Sequence, residues 1–294
     1  MSLLKPHYLF RPVQALRRLA QPFRRPPAGP TVARLPWGLS LQVDPREDVG
    51  RAVWQLGLHD LTVCETLWRL TSSGDTAVDV GANVGQMTGL LALRAGPSGR
   101  VLAFEPHPDV FTDLTANVGL IAQARRAAPV ETFRRALTAK AGTAWLDPGR
   151  DFATNHGLAR LAQPGTGIPV EASTLDDMLD GRRAAVVKID VEGHEPDVLR
   201  GAGEALRAGR IRHLLLEAGS SEERQSLAGL LAGYGYTFFV LGRTFFGLDL
   251  GAAGTAPHLP PYEAPSCLAT LDPGEVRARL LPRGWRVLSA AARR

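Results

Sequence analysis

Between Thr76 and Thr88 the chain reads Thr-Ala-Val-Asp-Val-Gly-Ala-Asn-Val-Gly-Gln-Met-Thr. A short apolar run carrying Asp79 stops at Gly81, a second glycine follows at Gly85, and Met87, Leu90, Leu91 and Arg94 then recur at helical spacing. That order spells a buried strand, a tight turn and a helix start. It commits the chain to an α/β architecture in which ligands gather at the carboxyl ends of the strands. Glycine suits such a turn. Without a Cβ it tolerates positive φ and lets a ligand approach the backbone, while the unpaired N–H groups of the first helical turn face outward.

The glycine spacing selects among ligands. Gly81 and Gly85 form Gly-x-x-x-Gly, which does not match the Gly-x-Gly-x-x-Gly dinucleotide fingerprint. A carboxylate at Asp79 repels a pyrophosphate and suits a ligand with positive charge, such as S-adenosylmethionine with its sulfonium and ammonium. Arg100-Val-Leu-Ala-Phe-Glu105 is a second apolar run ending in an acid, 24 positions after Gly81. That is close to the interval of about 20 at which a strand-tip acid accepts hydrogen bonds from ribose hydroxyls. Val130 to Leu137 is expected to be a third strand with Thr143 to Leu146 as its hairpin partner, and Arg135 and Ala136 lie nearest the expected adenine position. The competing readings are a joint that binds nothing and, at Glu105, a solvated acid helped by a helix dipole.

A second informative stretch runs Ala184-Ala-Val-Val-Lys-Ile-Asp-Val-Glu-Gly-His-Glu-Pro196. It is a buried strand containing Lys188 and ending in Asp190, Glu192, His194 and Glu195, with Pro196 placed for the first turn of a helix. Two chemistries fit the cluster. Asp190 or His194 can act as general base toward a nucleophile, or Asp190 and Glu192 can offer oxygen ligands to a hard cation such as Mg²⁺. The bland alternative, strongest for Glu195, is a carboxylate that stabilises the following helix start. Arg210 to Glu217 repeats the pattern of a strand ending in an acid, and Tyr236 to Leu241 and Ser266 to Leu271 read as the last two strands.

Composition narrows the classes. With 294 residues and 45% hydrophobic content the chain can bury a substantial core. The net charge of +5 is concentrated at the start, where residues 1–34 hold seven Lys or Arg and no acid. The remainder is near neutral, so a nucleic-acid partner is not expected. Residues 1–34 read as a basic, flexible extension able to make weak contact with a membrane surface, although its prolines interrupt any long helix. Residues 35–74 read as a strand and helices forming a cap, and residues 75–294 as the main domain. Two cysteines, Cys64 and Cys267, match neither a disulfide scaffold nor a metal spacing, and neither a membrane span nor a secretory signal is evident. The expectation is a cytoplasmic protein. Asn155 and His156, in an irregular segment, are polar groups that can face a pocket.

Taken together, Val78-Asp-Val-Gly-Ala-Asn-Val-Gly85, Phe104-Glu105-Pro106, Ser173-Thr-Leu-Asp-Asp177 and Lys188-Ile-Asp-Val-Glu-Gly-His-Glu195 resemble the FkbM family of S-adenosylmethionine-dependent methyltransferases, in the right order from about Leu35 to Leu271. The resemblance implies a Rossmann-like class I methyltransferase fold: a seven-stranded, mostly parallel sheet with helices on both faces and an antiparallel last strand. It implies O-methylation of a small-molecule or glycan acceptor, a sugar or polyketide-type hydroxyl. By the same resemblance Asp79, Gly81, Asn83, Gly85 and Glu105 hold the cofactor, and Asp190, Glu192 and His194 lie at the chemistry. His194 departs from the family, which commonly has Ala there. A nucleic-acid methyltransferase is disfavoured because Leu259-Pro-Pro-Tyr262 lacks the initial amide or acid of that class's motif, and Ser266 separates Pro265 from Cys267. A nicotinamide-dependent dehydrogenase needs a better phosphate turn, and a non-catalytic binding protein on the same fold is the reading from another class.

Overall fold

A computed structural model describes residues 27–149, 160–163, 165–259 and 265–289, together with Pro6 and Phe152. The basic segment before residue 27, Asn155 and His156, and Pro260 to Tyr262 lie outside the described residues. In chain order the first elements are β1 (Thr31–Arg34), β2 (Ser40–Val43), α1 (Asp48–Leu56), α2 (Leu61–Leu70), β3 (Thr76–Val80), α3 (Gln86–Ala95), β4 (Arg100–Phe104), α4 (Pro108–Ala122) and β5 (Val130–Phe133). A small-sheet region follows with β6 (Arg135–Leu137), β7 (Gly142–Asp147), β8 (Arg160–Leu161) and β9 (Ile168–Ser173). The chain then forms α5 (Leu175–Leu179), β10 (Ala184–Ile189), α6 (Glu195–Arg200), α7 (Gly203–Arg207), β11 (Ile211–Glu217), α8 (Ser221–Ala232), β12 (Thr237–Thr244), β13 (Gly247–Gly251), β14 (Ser266–Thr270), α9 (Pro273–Leu280) and α10 (Arg286–Ser289).

Helix starts follow local chemistry. Ser220 and Glu223 exchange side-chain and backbone bonds in a capping box at α8, and Glu47 accepts from Val49 N and Gly50 N at α1. At α5 the cap is Thr174, whose side chain accepts from Asp177 N. Asp176 instead accepts from Glu204 N and Ala205 N, binding the start of α7.

The main sheet has the order β13-β12-β14-β11-β10-β3-β4-β5. Strands β5, β4, β3, β10 and β11 are mutually parallel, and β14 runs antiparallel to both β11 and β12. The expected seven strands are present, and β13 adds an eighth at the edge by forming an antiparallel hairpin with β12. This strand escapes the hydropathy pattern because Gly247, Asp249 and Gly251 interrupt it. The chain winds outward from β3 through β4 to β5 and returns to β10 on the other side, so a crevice opens where β3 and β10 part.

Alternation divides the sheet's side chains between two cores. Val78 and Val80 of β3, Val187 and Ile189 of β10, and Leu214 and Leu216 of β11 face a core shared with α5 to α8. Ala77, Val186 and Leu215 face the opposite core, shared with α2, α3, α9 and α10. Helices therefore cover both faces. By the same period of two, Asp79, Lys188, Asp190 and Glu217 fall on the α2/α3 face.

The β1–β2 hairpin, in which Arg34 pairs with Ser40, runs across residues 34 and 35, and the 35–74 segment shares one core with the sheet. Buried Arg69 of α2 pairs with Glu65 at 2.5 Å and donates to the carbonyls of Arg279, Pro282 and Gly284, while Glu65 accepts from Arg286 N and Val287 N. One expectation changes: the segment Val130 to Leu137 is not one strand. It breaks at Arg134, and β6 joins a separate sheet of order β6-β9-β7-β8, where β7 pairs with β9 in place of the expected hairpin. No helix among the described residues is long and apolar enough to cross a membrane.

Candidate functional site

A cavity of about 370 Å³ opens at the carboxyl ends of β3, β4 and β10. Its lining includes Gly81, Asn83, Glu105, Arg135, Ala136, Asp190, Glu192 and His194, so most of the residues singled out in the sequence meet around one space. Asp79 and Gly85 do not line it.

Asp79 is fully buried, and its place in the β3–β10 register explains why. It stands directly opposite Lys188, and the Lys188 Nζ lies 3.2 Å from Asp79 Oδ1 and 3.3 Å from Asp190 Oδ2. Thr88 Oγ1 donates to the other Asp79 oxygen at 2.6 Å, and Lys188 Nζ also donates to Gly81 O at 2.7 Å. The expected contact between Asp79 and a ligand's positive charge is thus replaced by an internal cation. Burial acts to lower the lysine's proton affinity, but Asp79 and Asp190 together outweigh it and hold the ammonium above its ordinary range. Lys188 escaped the sequence-derived site, although a charge inside an apolar strand is a signal, since a buried charge needs partners.

The glycine turn shows the expected positive φ and has a further reason. Gly81 has φ of 73°, and a Cβ there would meet the Asp190 carbonyl oxygen at 1.9 Å, a close approach between two strand ends. Gly85, at φ of 90°, caps α3 without a side-chain hydrogen bond and packs beneath Leu114. Asn83 takes the left-handed conformation and accepts from Val84 N at 2.7 Å, a local Asx bond suited to that geometry.

Glu105 is 8% exposed, accepts from Asn83 N and His107 N at 3.0 Å each, and is pushed up to about 7 by burial. It ties the β3 turn to the β4 turn. Arg135 reaches Glu171 at 2.7 Å and Ser173 Oγ at 3.2 Å, which holds the small sheet at the cavity edge, and buried Ala136 adds an apolar surface beside it. Gln86, not expected from sequence, clasps the α1–α2 loop through His59 N at 2.7 Å and His59 O at 2.8 Å. That loop is thereby tied to the start of α3.

At the acidic edge the roles separate. Glu195 is buried and accepts from Val191 N and Gly193 N, so it holds the turn instead of facing ligand. Glu192 has φ of 54°, and burial followed by the Asp190 charge raises its proton affinity. His194 is half-buried with its Nδ1 3.4 Å from Asp197 Oδ2. Glu217, at the tip of β11, is pushed up to about 8, first by burial and then by the charge of Asp190. Among the described residues no group of three His, Cys, Asp or Glu is arranged to hold a metal ion, and Asp190 already faces an ammonium. Asp190 and Glu192 therefore do not fit a divalent-cation site.

Comparisons with known proteins find similarity to methyltransferases. A hexuronic acid methyltransferase, AglP, of Haloferax volcanii is 29% identical over 161 residues, covering 54% of this chain and 62% of that protein. A methyltransferase 1 of Beauveria bassiana is 32% identical over 146 residues, covering 42% and 57% respectively. The matched region thus spans less than two thirds of the length of either relative. The crystal structure of an FkbM methyltransferase from Methylobacillus flagellatus aligns with a TM-score of 0.47 at 18% identity, over 68% of this chain and 44% of that one. The methyltransferase FkbM domain model matches residues 79–241, the span from the Asp79 turn through β12, and the chain belongs to the FkbM methyltransferase family.

Proposed function

We propose that the protein is an O-methyltransferase that uses S-adenosylmethionine to methylate a hydroxyl of a small-molecule or glycan acceptor. The observation that carries this reading is the position of Asp190, which lines both the cavity of the cofactor turn and a second cavity next to it. S-adenosylmethionine supplies an electrophilic methyl group when bound. Gly81, Asn83 and the start of α3 would hold its amino-acid end, Glu105 its ribose and Arg135 with Ala136 the region of its base.

The chain's own groups then orient the acceptor. The acceptor oxygen forms a bond to the methyl carbon as the carbon–sulfur bond breaks, its electron pair returning to sulfur and the hydroxyl proton passing to Asp190. Alignment of the two reactants supplies much of the acceleration. Lys188 pairs with the Asp190 carboxylate at 3.3 Å, and Glu217 lines both cavities with it. His194 and Glu192 line only the first cavity of the two, which makes Asp190 the better candidate for the base. Buried, unpaired Cys64 and Cys267 suit a reducing cytoplasm. The relative named for hexuronic acid supports a sugar-type acceptor, and the weak membrane contact of residues 1–34 stays a proposal beside it.

Titration calorimetry with S-adenosylhomocysteine, followed by transfer of labelled methyl from S-adenosylmethionine to a hydroxyl panel, tests the function. Binding together with label in an ether product is expected. Absence of S-adenosylhomocysteine binding by the full chain would refute it and favour a non-catalytic role.

A further inference from the structure

Lys188 sits inside the apolar strand β10 and is 5% exposed. A buried ammonium has to be matched by partners, so its contacts show what it serves. Asp79 Oδ1, at 3.2 Å, neutralises it from within the core. Two further contacts lead to the site. The Lys188 Nζ donates to the Gly81 carbonyl at 2.7 Å, in the turn that lines the cofactor cavity, and lies 3.3 Å from Asp190 Oδ2. Lys188 and Asp190 line both cavities. The backbone fixes only part of this geometry. Asp190 N donates to Val80 O at 3.1 Å and aligns the two strand ends, but the Asp190 side chain is 43% exposed and its carboxylate can turn toward water. The peptide between Gly81 and Ala82 is held at its N–H by Phe104 O at 2.9 Å and at its carbonyl by Lys188.

We infer that Lys188 is a positioning residue for methyl transfer, which holds the Gly81 peptide of the cofactor turn and the Asp190 carboxylate at a fixed separation, so that donor and acceptor meet in line. The inference rests on the methyl-transfer reading for the identity of the two ligands. It goes beyond the neutralisation of Asp79, which is a matter of the core alone. The two roles separate when both charges are removed together. If Lys188 served only Asp79, the pair Asp79→Asn and Lys188→Met would restore the protein in full, because the amide needs no cation and the charge of Asp190 is kept. If Lys188 positions the site, the same pair restores the fold and leaves the Gly81 carbonyl and the Asp190 carboxylate unheld. A hydrogen bond from a charged donor is worth about tenfold to a hundredfold in an equilibrium constant, and misplacement of reacting groups by about 1 Å costs rate steeply.

The test compares the wild-type full chain with Asp79→Asn, Asp79→Asn/Lys188→Met and Asp79→Asn/Lys188→Gln, by urea unfolding, by calorimetry with S-adenosylhomocysteine and by labelled-methyl transfer at saturating S-adenosylmethionine. Glutamine is neutral like methionine and gives a second background of the same net charge. Asp79→Asn keeps the ammonium and is expected to bind S-adenosylhomocysteine within about threefold of the wild type. Each double variant is expected to unfold cooperatively, to bind S-adenosylhomocysteine at least about fivefold more weakly than Asp79→Asn, and to transfer label at least about tenfold more slowly. A merely structural lysine predicts recovery of affinity and rate along with stability. Binding by a folded double variant that is less than about fivefold weaker than that of Asp79→Asn, transfer at the Asp79→Asn rate, or an Asp79→Asn variant that already shows both losses would overturn the inference. So would the absence of a cooperative transition in both double variants, since the core would then be what needs Lys188. Failure of the wild-type chain itself to bind S-adenosylhomocysteine would instead remove the methyl-transfer reading, and this inference with it.

Discussion

Replacing Lys188 by Met tests the buried triad directly. Lys188 is 5% exposed and Asp79 is fully buried, with 3.2 Å between Nζ and Oδ1. At an effective dielectric of about 20 a unit pair at that distance attracts by roughly 5 kcal/mol, most of which offsets the cost of taking both charges out of water. Methionine keeps the length and removes the charge. Asp190 can be rehydrated, since 43% of its side chain is exposed, but Asp79 cannot. The substitution therefore strands one buried carboxylate, at a cost of about 3–5 kcal/mol. For a chain of this length that corresponds to a fall of about 5–8 °C in Tm. Adding Asp79→Asn should return at least about 2 kcal/mol, because Thr88 can still donate to the amide oxygen. Urea unfolding of the two single variants and the double variant completes the cycle. A cost for Lys188→Met below about 1 kcal/mol, or simple additivity in the double variant, would refute the account of Lys188 as the ion that neutralises Asp79.

Asp190→Asn should leave S-adenosylhomocysteine affinity within a few-fold while lowering methyl transfer by about 100-fold or more, read by calorimetry and labelled-methyl transfer; unchanged transfer would remove Asp190 as the base. Glu105, pushed up to about 7, gains its acceptor charge as pH rises, so S-adenosylhomocysteine should bind several-fold more tightly at pH 8 than at pH 5.5, and Glu105→Gln should flatten that profile. The stability linkage has the opposite slope. A carboxyl raised in the fold contributes stability that is complete below its unfolded value of 4.5 and is lost as pH rises to about 7, which amounts to about 3 kcal/mol and is measurable by urea titration across that window. Gly81→Ala, with its Cβ against the Asp190 carbonyl oxygen at positive φ, should cost at least about 2 kcal/mol and lower the Tm.

Much of the site was readable because it is local. Asn83, Glu105, Asp190, Glu192 and His194 sit where a strand ends, and strand ends are marked by apolar runs stopping at Gly, Pro or acid. What escaped depends on partners distant in sequence. Gln86 acts on His59 through a loop of the cap, and Glu217 is pushed up by burial and then by Asp190, a strand away. The break at Arg134 escaped for the same reason. Nothing in Val130 to Leu137 itself says that the chain leaves the main sheet to pair with Ile168–Ser173.

The sequence by itself determined the strand-turn-helix at Thr76 to Thr88, the succession of strands that end in acids, and the family these motifs belong to. Hydrophobic period and glycine positions are local, and they act wherever the segment lies. Only the tertiary structure decided which acid meets which charge. The β3–β10 register sets Lys188 opposite Asp79, and the pleat's period of two turns Asp190 to the same face two residues on. A slip of one residue would have reversed those faces. Register is fixed by the packing of both cores at once, so the carboxylate that the turn first advertises became part of the frame, and Asp190 came to line two cavities at once.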